Sequence, residues 1–371
     1  MANAEEEGEI MKEFLKRKNI VISAKRYLID ALGAMAQGLF CTLLIGTILN
    51  TLGTQCHIGF LENPIYSNGT VSFTIGAAAS AMAGPAMAAA IGYALQAPPL
   101  VLFSLIPVGY AANLMGQAGG PLAVLVIAIL AAEFGKAVSK ETKIDILVTP
   151  VVTILVGVGL SALIAAPIGK AAASLGKVIM WATDLQPLLM GIIVSSVVGI
   201  ALTLPISSAA ICAALALTGL AGGAAVAGCC AQMVGFAVLS FRENKWGGLV
   251  SQGLGTSMLQ MPNIIRNPRV WIAPTLASAI TGPLATCVFH LQMNGDAVAS
   301  GMGTCGLVGP IGVYTGWVRD VADGAKNAIT PMDWIGLVLI CIVLPAVLTW
   351  GIGLVVRKLG WIKDGDLKLE S

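Results

Sequence analysis

Leu202–Phe236 reads LTLPISSAAICAALALTGLAGGAAVAGCCAQMVGF. Nothing in it is charged, yet Thr203, Pro205, Ser207, Ser208 and Gln232 interrupt its glycine, alanine and aliphatic residues. It lies inside a longer run, residues 185–241, that carries no Asp, Glu, Lys or Arg, and a second such run covers 63–132. A water-soluble domain has to display those four residue types, because they are almost never fully buried unless paired. In a bilayer the cost runs the other way, at several kcal/mol for a charge at the centre. The chain therefore reads as a membrane protein. Lipid leaves broken backbone unsatisfied, so a Pro/Ser/Gly interruption at membrane depth must be buried in protein or line a wet cavity. The stretch predicts helices arranged around a polar pathway or pocket.

Composition agrees. Of 371 residues, 57% are hydrophobic and 11% charged, against roughly 25% charged in an ordinary soluble domain. No large soluble domain fits in such a chain. A net charge of +2 lacks the concentrated basic face that binding to nucleic acid requires, so no nucleic-acid partner is expected. Forty-four glycines point to closely packed helices, since small residues let backbones approach where lipid gives no hydrophobic drive. Cys41, Cys212, Cys229, Cys230, Cys287 and Cys341 lie in apolar segments and read as small hydrophobes; no CxxC pair or zinc spacing occurs, so neither disulfide nor metal is expected.

Hydropathy divides the chain into an amphipathic N-terminal segment (1–27), a transmembrane domain (28–357) and a short tail (358–371). Using about 20 apolar residues per crossing, the spans fall near 28–52, 70–92, 99–116, 119–135, 144–166, 186–204, 206–222, 224–241, 270–291 and 333–356, about ten in all. With the N-terminus in the cytoplasm, alternation puts 17 Lys and Arg inside and 4 outside (Lys170, Lys177, Arg319 and Lys326). The positive-inside rule then predicts both termini cytoplasmic. Residues 248–263, GLVSQGLGTSMLQMPN, and 299–316, ASGMGTCGLVGPIGVYTG, are apolar but short, glycine-rich and interrupted by Pro262 and Pro310. They read as re-entrant hairpins, whose half-helix ends aim free backbone groups into a cavity. The fold class is all-α: a polytopic transmembrane helical bundle.

Residues able to do chemistry are few. Cys56, His57 and Glu62 form a loose cluster without recognised metal spacing. Glu133 and Lys136 stand three apart on one helix face, a spacing that predicts an ion pair. Buried amides at membrane depth, Gln232, Gln260 and Asn263, either tie helices together or meet a polar solute. There is no Walker loop, Rossmann fingerprint, HExxH or GxSxG, and neither catalytic residues nor a cofactor are expected. The candidate binding residues are Ser207 and Ser208 on the broken helix, Gln232, then Thr256, Ser257, Gln260 and Asn263 in the first hairpin, and Thr304 in the second. Neutral hydroxyls and amides suit a neutral, hydroxyl-rich ligand; a carboxylate or phosphate would call for Arg or Lys, which the hairpin cores lack.

Three runs, 202–238, FRENKWGGLVSQGLGTSMLQMPNIIRNPRVWIAPTLASAITGPLATCVF (241–289) and GMGTCGLVGP (301–310), closely resemble the bacterial integral-membrane family of PTS EIIC-like proteins, which includes the perfringolysin regulator. APPLVLFS and AAEFGKAVSKETKIDILVTP, further upstream, fit the same pattern. The resemblance implies a sugar-permease-like fold in the bacterial inner membrane, a homodimer, a sugar held at re-entrant hairpins, and soluble IIA and IIB partners that phosphorylate it. The chain departs from that pattern in having no fused IIA or IIB domain and no obvious counterparts of the glutamate and histidine that glucose-type members place around the sugar. The resulting expectation is a carrier of a small neutral polar solute that works by alternating access without phosphorylating it. The alternatives are a membrane sensor signalling to a cytoplasmic partner, and an EIIC subunit served by separate IIA and IIB proteins.

Overall fold

A computed structural model of the chain describes residues 2–68 and 71–369, with side chains in the first helix from Glu9 onward. Met1, at the start of the predicted N-terminal segment, Gly69, Thr70, where one predicted span begins, and Glu370 and Ser371, at the end of the predicted tail, lie outside the described residues.

The protein is built of helices. Among the described residues the strand pairing is limited to Tyr66–Ser67 against Ser72–Phe73 and an isolated bridge between Gly219 and Met293. Among the described residues six helices are long and apolar enough to cross a membrane: Arg26–Cys56, Pro99–Val138, Asp145–Thr183, Gly219–Leu239, Pro268–Val288 and Pro331–Lys358. The broken pair Ile75–Ala81 and Ala83–Ala94 makes a seventh.

The difference from about ten predicted spans has identifiable causes. Pro99–Val138 contains two of them, which fold back on each other where Gln117 takes a left-handed φ of 46°. Pro187–Thr203, at 17 residues, is apolar but shorter than a full crossing. The span expected at 206–222 is instead a short helix, Ser208–Ala214, followed by a non-helical link into Gly219–Leu239. Pro205 precedes that helix, and Ala216 (φ 48°) and Gly219 (φ 63°) adopt the left-handed conformation that ends it, a geometry helix propagation cannot accommodate.

The chain divides into two compact units, 1–39 with 82–169, and 40–81 with 170–371. In the first unit the helices approach through small residues: a Cβ on Gly84 would lie 2.4 Å from the Gly109 oxygen, and one on Gly109 2.3 Å from the Gly84 oxygen. The second unit is centred on Gly219–Leu239, which is buried nearly all round, the condition of a helix at the middle of a bundle. Its neighbours are Pro187–Thr203 and Ile272–Pro283, again joined at glycines: Gly199 faces the Gly228 carbonyl and Gly282 the Gly191 carbonyl.

Broken backbone in this unit is satisfied internally, as lipid requires. Gly219 and Met293 exchange both backbone hydrogen bonds at 2.9 Å. The free carbonyl of Leu217 accepts from the Ser300 hydroxyl at 2.6 Å, and that of Gly301 from Ser208 at 2.7 Å. The link 215–218 and the broken segment 289–307 are thus tied to one another.

Candidate functional site

Both predicted hairpins are interrupted helices. In the first, Phe241–Val250 passes through a π-turn (Ser251–Gly255) and a 3-10 turn (Ser257–Gln260) into Met261–Arg266. In the second, Ala297–Ser300 is separated from Val308–Ala322 by turns in which Gly303, Gly306 and Leu307 have φ between 51° and 59°. A Cβ on Gly303 would sit 2.8 Å from the Cys229 backbone, so this glycine supplies both the turn and the close approach.

The eight candidate residues fall into three groups. Ser207 caps the helix Ser208–Ala214, accepting from the Ala210 amide at 3.2 Å, while Ser208 ties that helix to the second interrupted segment through the Gly301 carbonyl. Thr304 donates to the Gly253 carbonyl, joining the two interrupted segments.

Gln232 and Ser257 form the second group. The Gln232 Nε2 donates to Thr275 (3.3 Å) and Ser278 (3.4 Å), and its Oε1 accepts from the Trp271 indole (2.9 Å) and from Thr203 (3.3 Å). Thr203 shares a further bond with Ser257 at 2.8 Å. All four hydrogen-bonding positions of this amide are taken by fixed side chains of neighbouring helices.

The third group is a chain of amides. Gln252 donates to Ser240 at 2.8 Å, and its Oε1 accepts from Gln260 at 2.8 Å; the Gln260 Oε1 accepts from Asn263, also at 2.8 Å. Thr256 holds the turn beneath them by accepting from the Met258 amide. Gln260, with no exposed surface, and Asn263, nearly so, each use their remaining N–H on the backbone of the C-terminal tail: Gln260 on the Leu367 carbonyl (3.1 Å) and Asn263 on the Lys368 carbonyl (2.9 Å).

The tail itself is firmly seated. Leu367 is fully buried and Ile362 nearly so. Asn244 brackets the end of the tail, donating to the Leu367 carbonyl and accepting from the Leu369 amide, both at 2.8 Å. Asn267 donates to the Trp361 carbonyl (2.9 Å) and to Asp366 (2.8 Å). The start of the tail is anchored by Arg357, which pairs with Glu243 at 2.9 Å and Asp364 at 3.2 Å.

Gln252, Asn244, Asn267 and the tail join the candidate residues only once the chain is folded. Gln252 carried the same signal as Gln260, an amide in an apolar run. Asn244 and Asn267 lay in segments read as loops, where an amide is unremarkable. In the loose Cys56, His57 and Glu62 cluster, His57 is 84% exposed and 3.7 Å from Glu62, and Cys56 is exposed. Glu133 and Lys136 pair at 2.8 Å, as their spacing predicts.

Apolar helices of membrane-spanning length, broken in their interiors and stitched by uncharged amides and hydroxyls, define a multi-pass helical membrane protein organised around buried polar segments. The family described as "Phosphotransferase system, EIIC" matches residues 29–369, and the chain belongs to it. It is accordingly a membrane sugar-transporter component of the bacterial inner membrane. No curated protein and no solved structure matches it.

Proposed function

We propose that the chain is a carrier that binds a small neutral polar solute, a sugar or a related metabolite, at the first hairpin and moves it by alternating access without phosphorylating it. The observation that carries this reading is the division of labour among the amides. Gln232 is saturated by fixed side chains, whereas Gln260 and Asn263 are completed by backbone carbonyls of the tail. A carbonyl oxygen and a sugar hydroxyl oxygen are equivalent acceptors for an amide N–H. Release of the tail would free two N–H groups on adjacent turns, and a hydroxyl-rich solute could take them without burying a charge. Thr256 and Ser257, in the turn just before Gln260, would add hydroxyls to that set on exchanging their present bonds to the Met258 amide and to Thr203. Ser207, Ser208, Gln232 and Thr304 hold the broken segments in register around it. Both termini are assigned to the cytoplasm on charge grounds, and a homodimer is assigned on family grounds.

The test is a thermal-shift screen of the detergent-purified protein against neutral sugars and polyols, with sugar acids as the contrast. A ligand at 100 times its Kd adds about 2.7 kcal/mol. Gln260→Ala and Asn263→Ala should each abolish the shift in a protein that still folds; an unchanged affinity in both would remove the hairpin from the binding site. Asn244→Ala should act in the opposite direction. It deletes two bonds that seat the tail, worth about 1 kcal/mol each, so the competing carbonyls leave more readily and affinity should rise roughly fivefold or more.

A further inference from the structure

The first unit holds a second site, unrelated to the hairpins. A cavity of about 380 Å³ is lined by Arg17, Lys18, Lys136, Lys140 and a single carboxylate, Glu141. It sits where several apolar helices end: Ala83–Ala94 finishes just before Gln96 on its wall, Pro99–Val138 just before Ser139, and Asp145–Thr183 begins just beyond Glu141. Ile144, Ile146 and Leu147, next along the chain, are all exposed. The cavity therefore lies at the depth of lipid headgroups.

Two features mark it as built for an anion. The first is how its floor is made. Lys136, 1% exposed, donates to the carbonyls of Asn19 (3.0 Å) and Leu95 (3.2 Å), and Arg26 donates to the same Leu95 oxygen at 2.6 Å. Two cations converge on one carbonyl, and the Glu133 carboxylate pairs with Lys136 at 2.8 Å. The second is strain. Asn19, Gln96 and Lys140, three of the lining residues, have φ of 53°, 54° and 61°. The left-handed region costs a non-glycine residue roughly 1–2 kcal/mol, and such outliers gather at functional sites. The turns are locked by specific bonds: Asn19 donates to Gln96 at 2.7 Å, and the Lys140 amide donates to Asp145 at 2.6 Å.

One carboxylate oxygen of Glu141 is gripped by both Arg17 (2.8 Å) and Lys18. The Lys18 hydrogen bond, with the charges of Arg17 and Lys18, holds its carboxyl below the usual carboxylate range. Glu141 is nonetheless exposed and tethered by a short loop. Among the described residues the Lys140 ammonium makes no hydrogen bond and no ion pair within 4 Å, although its charge reaches Asp145, and the other terminal nitrogen of Arg17 makes none either. We propose that this cavity binds a phosphate-bearing anion, the headgroup of an anionic lipid or free phosphate, and that Glu141 is a resident stand-in which the ligand displaces. A phosphate offers more oxygens and more charge than one carboxylate, and matches the fork of Arg17 while also reaching Lys18 and Lys140.

The experiment uses the full chain in neutral detergent and follows the thermal midpoint with inorganic phosphate, with added phosphatidylglycerol, and with phosphatidylcholine as the control. Stabilisation by phosphatidylglycerol alone identifies a lipid headgroup site; stabilisation by phosphate identifies a free-anion site. Either supports the proposal only if the variants respond in opposite directions. Arg17→Gln and Lys140→Asn, both at exposed positions, should weaken binding about fivefold for each cation removed. Lys140→Asn keeps a side chain that tolerates positive φ. Glu141→Gln removes the internal competitor and should tighten binding. Absence of stabilisation by either anion, or affinities that all three variants leave unchanged, would overturn the proposal.

Discussion

Gly228→Leu is expected to yield no folded protein. A Cβ at this position would lie 1.9 Å from the Ser195 oxygen and 2.5 Å from its carbonyl carbon, both backbone atoms on a neighbouring helix. Neither helix can yield locally. Gly219–Leu239 is surrounded on nearly every face, and the Gly228 carbonyl is also the acceptor for Ser278 at 3.2 Å. Ordinary overpacking costs about 1–3 kcal/mol because side chains shift to absorb it; here whole helices must separate, so the cost exceeds that range. The matched control is Gly351→Leu, at a glycine with nothing within 4 Å of its would-be Cβ, which should express and chromatograph like the parent. The readout is the monodisperse yield of each variant after detergent extraction. Equal yields for the two would contradict the small-residue packing described for the second unit.

Lys136→Met should produce the second largest loss, about 3–5 kcal/mol, the usual cost of stranding one member of a buried ion pair. Glu133 is 13% exposed, and the 2.8 Å contact with Lys136 is its compensation. The substitution also frees the Asn19 and Leu95 carbonyls from their ammonium donor. Replacing both members, Lys136→Met with Glu133→Leu, should recover much of the loss, since apolar replacement of an entire buried pair is often neutral. Thermal midpoints of the single and double variants measure this directly. A double variant no better than the single would mean that the carbonyl contacts, not the stranded charge, carry the cost.

Much of this architecture is legible in the sequence because it follows from one-dimensional rules. Residues 63–132 and 185–241 lack charge because lipid-facing and bundle-facing helices cannot carry it, and the same logic gives the all-helical fold. The spacing of Glu133 and Lys136 gives their pairing directly. The span expected at 206–222 was not recoverable from hydropathy, which counts apolar residues but does not register that Ala216 turns left-handed; nothing in LALTGL announces it.

The site was legible in part for a similar reason. Gln260 and Asn263 stand out as amides in an apolar run, but their partners lie about 105 residues away in a tail that reads as solvated. In WIKDGDLKLE the buried Ile362 and Leu367 are surrounded by charges and follow neither helical nor strand periodicity. Their burial depends on Asn244, Asn263 and Asn267 arriving from elsewhere in the chain, which no local pattern encodes. The cavity walled by Arg17 and Glu141 was hidden in the same way, because its residues are drawn from three separated segments.

This member of the EIIC family is proposed to move a neutral solute unmodified. The most direct test is uptake of radiolabelled neutral hexoses, pentoses, disaccharides and polyols into liposomes containing only the purified protein, with the internal label analysed chemically. Protein-dependent accumulation of at least one unmodified sugar or polyol is expected with no phosphoryl donor present, and the flux should be lost in the Gln260→Ala/Asn263→Ala double variant. No flux of any of these solutes, or flux that begins only when phosphoryl-transfer proteins are supplied and delivers a phosphorylated sugar, would contradict it.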